Sequence, residues 1–335
     1  MCIYFQSLQF LHSHDAQEKH SDAIWGIHWT PTDRVLSISA DGTLKQYSSS
    51  SSSTSAETIY TRPTPSPHPV GIVSLSVNEQ GTKALYNSLE GRTVLLDVES
   101  GDTIGVHESY AKGGGSGEQN EPAWSVSLHP AEQTFAAIGG TGNVTIHSAS
   151  PSNFGERITK LESGRSKMGM CIKHSPDGTR IALSLETGQI YIFDLASSQL
   201  LQTYTAHAMT VRALSWSSDS SLLLSASDDR RLTLFDVREK GKGGGGGAVA
   251  ALVGHGSWVL STAFSPDGRL ALSGSADKTI KVWDIGTRAA VSTMQDTGEV
   301  WAVSWRPHIS PGSAGVFVSG GEDGVVKWWR SAGAS

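Results

Sequence analysis

The stretch GHGSWVLSTAFSPDGRLALSGSADKTIKVWD, residues 254–284, decides how the rest of the chain is read. It opens with an alternating strand and turns at Ser265-Pro266-Asp267-Gly268. A second strand follows, then a tight turn on Asp277, then a third strand closing at Trp283-Asp284. Side chains that alternate with a period of two between Gly, Pro, Asp and Ser turn residues predict β-structure.

The same pattern recurs along the whole chain. The tight-turn position returns at Asp41, Glu90, Thr141, Thr187, Asp229, Asp277 and Asp323, with spacings of 49, 51, 46, 42, 48 and 46 residues. Three residues after it comes an aliphatic, as at Leu44, Val144, Ile190, Leu232, Ile280 and Val326, with a slip of one in the second copy at Thr93-Val94. Six residues after it stand Tyr47, Leu96, His147, Phe193, Phe235, Trp283 and Trp329. Seven copies near a period of about 40–45 residues, with inserts, predict an all-β, seven-bladed β-propeller of the WD-repeat type spanning residues 1–335 as a single domain.

A histidine stands 21 or 22 residues before the turn in four repeats, as His20, His68, His207 and His255. The seventh repeat has Asp296 further upstream instead. Such His, Asp, strand Ser and Trp residues supply one another's buried hydrogen bonds. The expected network comprises His20, Asp41, His207, Asp229, His255, Asp277, Trp283 and Asp323; it reads as complete in the sixth repeat and degraded in the second to fourth. After Trp329 six residues remain, which leaves the last blade short of its outer strand. The strand-like run from Ile3 to Leu11 is expected to supply it, so that residues 1–12 close the ring and remove an exposed edge.

Inserts interrupt the repeats near 48–55, 111–121, 239–247 and 308–315. Their Ser- and Gly-rich composition predicts solvated loops, with 111–121 on the top face and the others on the bottom.

Composition excludes several classes of function. Apolar residues make up 38% and charged residues 17%, with 32 acidic against 26 basic side chains and a net charge of −6. No basic stripe is present, so direct nucleic-acid binding is not expected. Cys2 and Cys171 are the only cysteines, which argues against a disulfide framework and for a reducing compartment. The N-terminus reads poorly as a signal peptide, and no apolar run is long enough to span a membrane. The glycine clusters lack G-x-x-x-x-G-K-[ST]. Ser, His and Asp recur because the blade needs them, and no ligand spacing points to a metal or cofactor. No enzyme activity is expected.

The ten tryptophans are more informative. Trp29, Trp216 and Trp305 fall at the Phe264 position, and Trp283 and Trp329 at the Trp-Asp position; all read as core, and Trp328 has no assignment. Aligned on Val259, the next position holds Trp25, Val73, Trp124, Met170, Arg212, Leu260 and Trp301. The innermost strand is entered from the top, so these side chains are expected at the upper mouth of the channel. They either fill its wall or form a peptide-binding platform, since Trp, Met and Arg are enriched in interface centres. Trp258 and Glu299 join the candidate partner-binding set at the rim.

The phrases HAMTVRALSWSSDSSLLLSASDDRRLTLFDV (207–237) and SWVLSTAFSPDG and VWDIGTR within 257–288, with AIWGIHW (23–29) and EVWAVSW (299–305), resemble the WD-repeat subunit of the superkiller complex. The chain is similar to its animal counterpart shared with the RNA polymerase II-associated elongation complex. The resemblance implies a scaffold joined to a tetratricopeptide-repeat subunit and an RNA helicase, supporting exosome-dependent 3′–5′ mRNA decay. It further implies nuclear as well as cytoplasmic roles, in transcription elongation and, through a meiotic recombination endonuclease, in double-strand-break formation. Relatives grip segments with a Gln-Arg pair and a following hydrophobic residue on the top face. An adaptor of another system, such as a histone-tail reader or a ubiquitin-ligase substrate receptor, is the alternative.

Overall fold

The computed structural model describes residues 8–48, 58–62, 68–109, 122–238, 247–308 and 315–332. These form seven four-stranded antiparallel sheets, six of them running outward in chain order and the seventh completed by the first strand of the chain. The innermost strands are Ile24–Trp29, Ile72–Val77, Ala123–Leu128, Gly169–His174, Val211–Trp216, Val259–Phe264 and Val300–Trp305. Each lies against the innermost strands of both neighbouring blades, the last against the first, so the sheets close a ring around a central channel. The fold is a seven-bladed β-propeller.

Cohesion comes from apolar side chains wedged between adjacent sheets. Leu272, Ile280 and Val282 of the sixth blade, for example, pack with Val300, Trp305, Phe317 and Trp329 of the seventh. Each fully buried side chain of this kind contributes roughly 1.5–3 kcal/mol before entropy is counted.

The ring closes through Phe10–Asp15, which pairs antiparallel with Lys327–Ser331 as the outer strand of the seventh blade. This strand starts seven residues later than the expected Ile3, and only Phe10 to His12 fall within the expected 1–12. The physical reason lies in Phe10, buried against Trp305 and Phe317, while the following side chains point largely to solvent. Residues 1–7 lie outside the described residues, as do most of the four inserts (49–55, 111–121, 239–246 and 309–314).

Candidate functional site

The top face is held in place by hydrogen bonds that tie the loop entering each blade to its tight turn. In the sixth blade Trp283 Nε1 donates to Ser273 Oγ at 2.8 Å, and Ser273 lies 2.7 Å from His255 Nε2. His255 Nδ1 lies 2.9 Å from Asp277, which also accepts from Gly256 N at 2.8 Å. One proton arrangement satisfies the chain: the Ser273 hydroxyl donates to Nε2, and Nδ1–H donates to the carboxylate. Burial lowers the pKa of His255 despite Asp277, which keeps the ring neutral. For Asp277 burial opposes ionisation, but bonds from Thr279, Gly256 and His255 outweigh it and hold the carboxyl at about 2.

Two further blades carry this arrangement without the tryptophan. His207 bridges Asp229 and Ser225, and His20 bridges Asp41 and Ser37. Phe235 and Tyr47 stand at the Trp position, and the Tyr47 hydroxyl donates to the Glu18 carbonyl. Asp323 departs from the expected pattern and meets no histidine. It pairs with Lys327, which also contacts Asp296 and Thr297, so an ammonium between two carboxylates replaces the imidazole. The second blade keeps a His68–Glu90 contact. Its strand serine is replaced by Tyr86, which packs edge-on against His68 and leaves Nε2 unpaired.

Above this scaffold the innermost strands share one irregularity. The pairing of each innermost strand with the next strand slips across Ile24/Gly26, Ile72/Ser74, Ala123/Ser125, Gly169/Cys171, Val211/Ala213, Val259/Ser261 and Val300/Ala302. The residue left out of the ladder is Trp25, Val73, Trp124, Met170, Arg212, Leu260 or Trp301. A bulge bends its strand and re-aims the extra side chain. The structure thus places every member of the expected ring on a bulge at the channel's upper end.

These residues do not act alike. Trp25 and Trp301, from the first and last blades, stack with centroids 6.3 Å apart and planes at 8°. Trp301 Nε1 donates to Glu299 at 3.1 Å, whereas Trp25 Nε1 is buried without a partner. Glu299 N in turn donates to the Glu322 carboxylate. Arg212 is clamped by the buried Asp228, with Nε at 2.9 Å and Nη2 at 2.8 Å. Its guanidinium covers the face of Trp258 at 5.7 Å. Trp258 is 48% exposed, and its carbonyl is held by Ser275 Oγ at 2.7 Å. Met170 is 8% exposed and serves the wall. Val73, Trp124 and Leu260 are half-buried, and Trp124 stacks on no other ring among the described residues.

Sequence reasoning missed three features of this face: the Asp228 clamp, the Glu322 carboxylate and the Trp25–Trp301 stack. Trp328, which had no assignment, is 2% exposed and packs against Tyr47 and His14. Among the described residues no group of three or more His, Cys, Asp or Glu could hold a metal ion, and no helix is long and apolar enough to cross a membrane.

Comparison with known proteins places this geometry. The model of the WD domain, G-beta repeat, matches residues 7–48, 198–236 and 246–284. Over 97% of its length the chain is 26% identical to "Meiotic recombination protein rec14" of Schizosaccharomyces pombe, covering 98% of that protein. It is 29% identical to "Protein FIZZY-RELATED 2" of Arabidopsis thaliana over 59% of the chain and 39% of that protein. With "WD repeat and SOCS box-containing protein 1" of Danio rerio it shares 35% over 38% of the chain and 28% of that protein. Thus it spans less than two thirds of the latter two. WD40 repeats are thus matched at three stretches of the propeller, and proteins built on such repeats generally hold other proteins.

Proposed function

We propose that this protein is a non-catalytic scaffold that docks partner peptides on the upper mouth of its channel, as the WD-repeat subunit of a superkiller complex supporting mRNA decay. The observation that carries the reading is the Trp25–Trp301 stack, whose buried Trp25 N–H has no acceptor among the described residues. A buried donor without a partner costs about 1–3 kcal/mol, which a docked peptide carbonyl would recover. Flat indoles give large contact area at little entropic cost. The carboxylates of Glu299 and Glu322 beside them suit the arginine of a Gln-Arg segment. Partners on this reading are the tetratricopeptide-repeat and helicase subunits, with cytoplasmic and nuclear residence. The match to rec14 along almost the whole chain supports a meiotic role for the same surface.

The test is co-purification of the tetratricopeptide-repeat scaffold with wild type and with the double variant Trp124→Ala, Trp301→Ala. Loss of the scaffold, with the propeller's melting transition retained, is expected. Undiminished capture by the folded double variant overturns the site. Recovery of a ubiquitin ligase or histone instead favours the adaptor reading.

A further inference from the structure

Below the aromatic mouth the innermost strands carry a bracing device that three blades lack, two of them in favour of a basic residue. Ser76, Ser127, Ser215 and Ser304 stand at one level of the channel, three residues below the bulge. Each accepts a hydrogen bond from the innermost strand of the next blade, at Leu128 N, His174 N, Phe264 N and Trp29 N, with distances of 2.9–3.1 Å. These strands are inner edges, and the serines satisfy backbone donors that would otherwise face the lumen. Ala263 fills this position in the sixth blade. In the first and fourth blades it is His28 and Lys173.

Neither basic residue serves the fold in the way the serines do. Neither the imidazole nor the ammonium has a hydrogen-bond or ion-pair partner among the described residues. The level above carries Gly, Ser, Cys or Ala in every blade, from Gly26 to Ala302, so neither level brings a carboxylate. Elsewhere in this fold, buried cations are paired: Lys327 lies between two aspartates, and Arg212 lies on Asp228. Burial first and the charge of Lys173 second bring the pKa of His28 to about 4; burial raises the Cys171 thiol one level up, against a smaller opposing pull from Lys173. Small neutral side chains at the level above leave this charge uncompensated there, and low-dielectric walls of that kind concentrate its field.

We infer that His28 and Lys173 form an oxyanion-binding site in the lower half of the channel, taking a free inorganic anion of the phosphate or sulfate type. Lys173 supplies the charge and His28 a ring N–H. A bound anion favours the protonated ring, so binding takes up a proton and strengthens as the pH falls toward the ordinary histidine range. At the equivalent position the other innermost strands carry Lys173 and the non-titrating Ser76, Ser127, Ser215, Ala263 and Ser304, and Lys173 is the one charge that acts on His28. The site is independent of the aromatic mouth.

Titration calorimetry of the full chain with inorganic phosphate, at constant ionic strength set by sodium chloride, tests this. Saturable binding with one anion per chain is expected, weakening at least tenfold in Lys173→Ser. His28→Ser is expected to retain binding but to lose its rise between pH 8 and pH 6. Serine is the residue of four other blades, so both variants are expected to keep the fold and restore a brace; a retained melting transition in anion-free buffer checks it. Absence of saturable binding to the wild type, or equal binding by Lys173→Ser, overturns the inference.

Discussion

Arg306 and Asp33 join the last blade to the first through two parallel hydrogen bonds, from Nε at 2.8 Å and from Nη2 at 2.6 Å. The guanidinium also covers Trp29 at 5.8 Å, and Trp29 Nε1 donates to the same carboxylate. With Trp25 and Trp301 stacked above, the seam where the ring closes is fastened at both faces. Because Asp33 is more than a third exposed, its pair with Arg306 is worth only about 0.5–1 kcal/mol. Asp33→Asn should lower the melting temperature by about 1–3 °C in low salt, and less in high salt. A drop independent of salt would show that packing, not charge, holds the seam.

Ser273→Ala and Ser225→Ala separate the network from the fold. The first orphans both Trp283 Nε1 and His255 Nε2, the second only His207 Nε2, because Phe235 cannot donate. At about 1–3 kcal/mol for each orphaned buried group, Ser273→Ala should be the more destabilising in urea unfolding. Equal losses would refute the proton arrangement described above.

Acid should weaken the propeller well above the carboxylate range. Burial holds His28 and His147 near pKa 4 and His174 near 3, with the charges of Lys173, His107 and His129 adding respectively to the effect. These folded-state values lie below the unfolded value of 6.5, so the unfolded chain binds the extra protons. Stability is full above pH 6.5, falls as the pH drops below it, and levels off only near pH 3–4. The Asp277 carboxyl, held at about 2, adds a loss below pH 4. His174 occupies the position of Leu128, Trp216 and Phe264, and its Nε2 is unpaired. His174→Leu should therefore flatten the fall in stability between pH 7 and pH 5, removing about 2 kcal/mol of it as read in urea unfolding. An unchanged pH profile would count against the buried neutral ring.

The tight turns supply a backbone test. The residue after each turn position has positive φ, and it is Gly42, Gly91, Gly142, Gly188 and Gly324 in five blades but Arg230 and Lys278 in two. A Cβ at Gly42 would come within 2.2 Å of the His68 carbonyl oxygen. Gly42→Ala should thus cost more than the about 1–2 kcal/mol of the left-handed conformation alone. Lys278→Gly should be neutral or stabilising by up to about 1 kcal/mol in the same melts. The opposite order would mean that these turns are not equivalent.

The repeat made the blades legible, because turn residues and alternation survive even where the polar network decays, as in the blade of Tyr86 and Glu90. Contacts between distant blades were not legible in that way. The Trp25–Trp301 stack exists only because the first and last sheets are neighbours, and no local pattern marks a bulge at non-glycine residues. The closing strand was misplaced for a related reason: an outer strand buries few side chains, so FLHSHD has a weaker pattern than the apolar Ile3–Phe5 before it. Lys327 and Trp328 escaped notice because the one depends on Asp296 of a preceding loop and the other on Tyr47 of another blade.

The pairing of Phe10–Asp15 with Lys327–Ser331 has a consequence for how the molecule is made. Of the described strands the closing one is made first and its partner last, so blades one to six can assemble during synthesis while the seventh waits. Until then Phe10 has no pocket, and the innermost strands of the first and last blades stand as open edges. The nascent chain therefore carries its greatest risk of misassembly until Lys327–Ser331 has emerged, and that risk ends with a single long-range encounter.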